Sequence, residues 1–187
     1  MQLGRTVLAM LGSGLACLLS ACVPYAETPL SDPQQAAIDT ALIGSWQGGE
    51  PGDRVFVHIG AADEHHVRIL TVEHTRSGQL KTLEYLAHSS RAGDHSYLNL
   101  VEQNSEASAR GYVLIRYRVD EKGDLRIALP NLAGIKTAIK SGGLAGRVEE
   151  GEFGDAFITA SAADTTAYLN DHQAELFEKE VTLNRLD

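Results

Sequence analysis

One short stretch gathers five side chains that could ligate a metal: His58, Asp63, Glu64, His65 and His66. Imidazole nitrogens grip zinc, nickel or copper, and a structural site normally takes about four ligands. Pairing Ile59 with His65 across a hairpin puts Val57 opposite Val67 and Val55 opposite Ile69. That register sets His58 and His66 side by side on the polar face, where only Asp63 or Glu64 easily joins them. The reading is a solvated strand face, with His58 and His66 as the metal candidates and no cofactor expected. Glu149, Glu150, Glu152 and Asp155 form an acidic loop with Gly151 and Gly154. Calcium favours such oxygens, but the alternating spacing of an EF-hand loop is missing, so a solvated loop is expected. Phe153 in its middle either pins the loop to the body or contacts a partner. Asp94, His95 and Ser96 are consecutive, whereas catalytic partners meet in space and are rarely neighbours in sequence. There is no Gly-x-Ser-x-Gly elbow, phosphate loop or dinucleotide fingerprint. No catalytic residue is assigned, and the chain is read as a non-enzyme.

The elements that carry these residues are mostly strands. Alternating apolar and polar residues predict strands over 42–47, 54–59, 66–74, 81–88, 96–101, 112–119, 125–129, 157–159 and 181–186. In 112–119, Tyr112, Leu114, Arg116 and Arg118 alternate against Val113, Ile115, Tyr117 and Val119. Gly and Asp clusters between the strands mark short turns, which argues for an antiparallel meander closed as a sandwich or barrel. Helices are few. Asp32-Pro33 opens a short one to about Thr40, and Asn131 caps 132–140, with Leu132, Ile135 and Ile139 on one stripe. Ser161 and Asp164 have capping-box spacing for a helix reaching Leu176, with Tyr168 and Leu169 facing inward. The fold class is mainly β with minor α.

The N-terminus is organised differently. Arg5 precedes an apolar run over residues 7–19, and Leu19-Ser20-Ala21-Cys22 follows directly. The run has 13 residues, short of the roughly 20 that a spanning helix needs, and a charged n-region before a short apolar core is the pattern of a secretory leader. Leu19 to Cys22 resembles the lipobox of bacterial lipoproteins. The resemblance implies cleavage before Cys22, diacylglycerol on its sulfur and, as a rule, an acyl group such as palmitate on its amine. Two or more acyl chains anchor stably where one binds only marginally. Val23, rather than Asp, follows the cysteine, which in Gram-negative families implies the outer membrane, facing the periplasm. The organisation read here is a signal peptide over 1–21, a lipidated tether over 22–32 carrying Pro24 and Pro29, and one domain over 33–187. The ten residues from Val23 to Asp32 reach at most roughly 35 Å.

Removing 21 of 187 residues leaves 166, enough for one domain with a sizeable core. The only cysteines are Cys17 and Cys22, so cleavage and lipidation leave no thiol for a disulfide or a metal. The mature chain carries 15 basic against 25 acidic residues, since one arginine departs with the leader. Such a surface excludes nucleic acid as a natural partner and disfavours lying flat on anionic lipid.

Gly44-Ser45-Trp46 on the first strand resembles the Gly-x-Trp signature of lipocalin-like barrels. In that group the tryptophan closes one end and a basic residue of the last strand packs over it, a role the resemblance gives to Arg185. The whole outline, from lipobox through Trp46 to Asn184-Arg185-Leu186, is similar to a set of uncharacterised bacterial lipoproteins with compact lipocalin-like domains. It implies a membrane-anchored, non-catalytic binding module for a small apolar or amphipathic ligand, held among Val55, Val57, Val67, Ile69, Leu114 and Tyr117. The helix after Leu129 departs from the lipocalin plan. A filled barrel would instead make the protein an envelope interaction, assembly or inhibitor protein, with residues 103–110 and 147–155 as contact surfaces. An interior volume of roughly 300 Å³ or more favours the ligand.

Overall fold

Period two becomes a ring. In a computed structural model, which describes residues 23–50, 53–74, 78–103, 109–151 and 154–186, the chain is mainly β and forms a closed eight-stranded antiparallel, lipocalin-like barrel. The leader, Cys22, Glu152, Phe153 and residues 104–108 lie outside the described residues. After a short strand β1 (Tyr25–Ala26), the barrel runs as a meander: β2 (Gly44–Glu50), β3 (Asp53–Ala61), β4 (Val67–His74), β5 (Leu80–Ala92), β6 (His95–Glu102), β7 (Val113–Val119) and β8 (Leu125–Ala128). β11 (Val181–Leu186) returns to shut it, pairing its first half with β8 and its second half with β2. Alternate residues face inward and are buried: Val55, Val57 and Ile59 of β3, Val67 and Ile69 of β4, Leu98 and Leu100 of β6. Each such aliphatic contributes roughly 1.5–3 kcal/mol by leaving water.

Between β8 and β11 the chain builds a second layer on the outside. It holds α1 (Leu132–Lys140), β9 (Gly146–Val148), β10 (Ala156–Ile158), α2 (Ala162–Asp171) and α3 (Gln173–Leu176). β9, β10 and β1 form a small sheet in the order β1-β10-β9. The second apolar cluster joins Tyr97, Leu114 and Ala128, from the outer faces of β6, β7 and β8, to Ile135, Leu169, Leu176 and Phe177. Side-chain caps start the helices as the sequence indicates. Asn131 Oδ1 accepts from Gly134 N at 2.9 Å, and Ser161 Oγ accepts from Asp164 N at 3.2 Å. Leu169 is buried, while Tyr168 is half-buried and stacks on His172 at 4.1 Å, where the predicted single helix breaks into α2 and α3.

Three expectations are corrected. The short helix near Pro33 is two 3₁₀ turns, Pro33–Gln35 and Thr40–Leu42, each opened by an aspartate side chain. The β3–β4 register places Ala61 opposite Val67, so Val57 faces Thr71 and Val55 faces Glu73. Asp63 sets that register: its carboxylate accepts from the backbone N–H groups of His65 and His66 at 2.8 Å each, which allows β3 to run two residues further before turning. The tether is not free, since residues 25–31 are docked on the barrel. β1 and β9 add strands that the sequence pattern does not mark, because their two and three residues carry no periodicity of their own.

Candidate binding site

The inward side chains leave a void of about 70 Å³. Its wall is almost wholly apolar and includes Val55, Val57, Ile69, Leu100, Leu129 and Leu183. Ligand pockets usually enclose roughly 300–1,000 Å³, so the interior is close to filled. Its polar exceptions come from β4 and β5. Thr71 is 4% exposed, and its Oγ1 has no hydrogen-bond partner. Glu73, two residues on, is 3% exposed and opposite Lys81 in register. Burial, then the charges of Glu102 and Glu73, pushes the Tyr85 phenol up, so it stays neutral.

Of the residues nominated for the interior, Val55, Val57 and Ile69 line this void. Val67 belongs to the same core without touching it. Tyr117 points inward nearer the end where β2 begins; its hydroxyl donates to Asp39 Oδ2 at 3.1 Å and lies 3.3 Å from Ser89 Oγ. Burial is the main cause that pushes this phenol up to about 12. Leu114 is a correction: it lies in the outer cluster, because an even residue of β7 cannot share a face with the odd-numbered Tyr117.

At that same end Trp46 is fully buried, and its Nε1 donates to Leu42 O at 3.2 Å. Arg185, its register partner on β11, holds its guanidinium carbon 4.8 Å from the indole centre and donates to Ile43 O at 2.8 Å. Gly44 has φ +151°, and a Cβ there would meet the Arg185 guanidinium at 3.0 Å. The glycine of Gly-Ser-Trp therefore makes room for the arginine.

The structure does not bring His58 and His66 together. His58 faces Leu70 in register and lies 2.8 Å from Ser45 Oγ through Nδ1. His66 Nδ1 sits 2.9 Å from Asp63 Oδ2. The backbone bond from His65, with those from His66, lowers the Asp63 carboxyl to about 2. Among the described residues no three His, Cys, Asp or Glu side chains are placed to hold a metal. The ring beside His66 is instead His88, 6.0 Å away, which in turn packs on Tyr112 at 6.1 Å. Ser96 of the Asp94-His95-Ser96 run lines a surface groove, beside Tyr117, rather than joining a triad.

Surface hollows larger than the interior void lie among the described residues. A groove of about 590 Å³ lies between residues 31–39 and β5 to β7. Several of its polar groups bond one another or the backbone: Ser31 Oγ meets Ser90 Oγ at 2.6 Å, and Asp39 takes both Tyr117 and the Ala41 N–H. A crevice of about 450 Å³ is lined by Glu27, Arg110, Arg147, Glu149 and Phe157. Here the two nominated contact loops meet, because Arg110 is ion-paired with Asp155. The rings of Tyr25 and Phe157 stack at 5.8 Å, capped by Arg110 at 5.8 Å on one side and Arg147 at 3.6 Å on the other. The sequence signal for this stack was slight, since its four members come from four separate segments. No family of proteins, no curated protein and no solved structure matches the chain.

Proposed function

We propose that this protein is a lipid-anchored, non-catalytic interaction module of the cell envelope, whose filled barrel is a scaffold rather than a cup. The observation that carries this reading is the interior void of about 70 Å³, well under the volume a lipid or acyl compound needs. Function then falls to the outside. The second layer covers the outer faces of β6 to β8, while the wall from β2 to β4 keeps half-exposed Phe56, Leu70 and Val72 on its outer face, with Phe56 opposite Val72 in register. Apolar side chains grouped on an uncovered sheet are a natural contact for a protein partner. The lipobox-like Leu19-Ser20-Ala21-Cys22 supports the anchor, in the outer membrane and facing the periplasm.

A photo-cross-linking residue at Leu70, in the full-length protein in its own membrane, is expected to capture a discrete partner, and Val72→Asp to abolish the adduct. Recovery of abundant lipoproteins alone would overturn the reading. Labelling with a palmitate analogue is expected to mark the protein and to fail with Cys22→Ser; an unmarked wild type removes the anchor. A second reading, an apolar ligand with one polar group inside the barrel, is favoured by the unpartnered Thr71 Oγ1 in the void wall. Native mass spectrometry separates the two: a co-purifying lipid or acyl compound supports the ligand, and its absence supports the scaffold.

A further inference from the structure

The segment that leads from the proposed anchor to the barrel is stitched to the wall. Pro24 and Ala26 are buried, and Val23 is half-buried. Ala26 exchanges two backbone hydrogen bonds with Tyr112, each 2.8 Å, and Glu27 N donates to Ile158 O at 3.0 Å. Leu30 N donates to the fully buried Asn99 Oδ1 at 2.8 Å, and Ser31 O meets His88 Nε2 at 3.1 Å. Gly111 has φ +114°, and a Cβ there would run into the Ala26 carbonyl, so the approach depends on glycine.

The direction of the strap follows from its pairing. β1 and β10 are parallel, with Tyr25 opposite Phe157 and Ala26 opposite Ile158. Going back from Tyr25, the chain therefore heads for the Asp155 end of β10, beside Arg110. Cys22 is one residue before the docked Val23, about 3.8 Å from Cα to Cα. A free tether would let the body turn in any direction, whereas a segment docked from Val23 onward restricts it.

We infer that the face formed by residues 109–111, 147–149 and 154–157 lies against the phospholipid headgroups, so that the membrane orients the barrel with β3 pointing away. The inference rests on the anchoring of Cys22 proposed above. In the ring of eight strands β3 is diametrically opposite β7, the strand against which β1 is held. The face has no positive excess, because Arg110 and Arg147 are set among Glu27, Glu149 and Asp155. Lipid does not recruit it, and the acyl chains do the holding. Arg147 has loose ion pairs, 3.7 Å to Glu27 and 3.6 Å to Glu149, and its planar guanidinium suits a lipid phosphate. The same geometry turns the uncovered β2–β4 wall outward, where a protein partner can reach it.

The test uses full-length lipoprotein reconstituted in phosphatidylcholine vesicles that contain a headgroup-nitroxide lipid. The mature chain has no second cysteine, so Ala109→Cys and His58→Cys each accept one fluorophore at an exposed position. Quenching several-fold stronger at 109 than at 58 is expected. Equal quenching, or stronger quenching at 58, in protein whose mass shows a lipidated Cys22 overturns the orientation and leaves the anchor standing. A mass showing unmodified Cys22 overturns both.

Discussion

The two sides of the barrel are built from the same alternating strands and meet different fates. On β6 to β8 the outward residues Tyr97, Leu114 and Ala128 vanish beneath helices and the small sheet. On β2 to β4 the outward residues Phe56, Leu70 and Val72 stay half-exposed. Alternation therefore decides which residues leave the barrel core but not which of them remain in water. That second choice is made by the segment between β8 and β11, which folds back on one side only. Stability should accordingly reside in the covered wall, and the recognition proposed above in the bare one.

Two phenylalanines give the hardest test of this contrast. Phe177 is 6% exposed, packs on Tyr97 at 5.7 Å and carries the Arg116 guanidinium 5.2 Å above its ring. Phe177→Ala should lose about 3–5 kcal/mol by urea denaturation, and Phe56→Ala, on the bare wall, about 1 kcal/mol or less. Equal losses would erase the distinction. Next in size is Asn99, which holds the Leu30 N–H, the His88 carbonyl and Ser90 Oγ. Asn99→Ala strands these groups and should lose about 2–3 kcal/mol; a silent substitution would mean the strap contributes nothing to the covered side.

Smaller effects sharpen the picture. Thr71→Val removes a buried hydroxyl without a partner and should leave stability unchanged or raise it by about 1 kcal/mol. A clear loss would point to a bound group in the void. The smallest effect is a pH dependence. Burial, the largest cause, lowers the His88 pKa below its ordinary value. The unfolded chain then takes up this proton first as pH falls below about 6.5, so acid favours unfolding and stability declines there. Melting temperatures between about pH 7 and 5 should fall less for His88→Gln than for the parent; identical slopes would clear His88 of that role.

The barrel was legible because strands of 4 to 13 residues repeat period two between Gly and Asp turns. The helix caps were legible for a similar reason: Asn131 and Ser161 act on N–H groups three residues away, within reach of a local pattern. The strap was not, because Tyr25 and Ala26 become a strand only through Phe157 and Ile158. The β3–β4 register depended on Asp63 bonding its own turn, which periodicity cannot see, since a shift by an even number of residues preserves every face. The outward placement of Leu114 was legible too, because its parity on β7 opposes that of Tyr117. The size of the void could not be read at all, since it depends on how the inward side chains fill the ring between them.

The closing strand has a consequence of its own. β11 pairs with Ile127 to Leu125 on one edge and with Gln47 to Ser45 on the other, so removing six residues would expose two strand edges at once. Such edges template pairing with foreign chains, and a short peptide copying β11 would be the natural competitor for the gap. A clipped copy of the protein would therefore not fail quietly: it would exchange strands with its neighbours and polymerise.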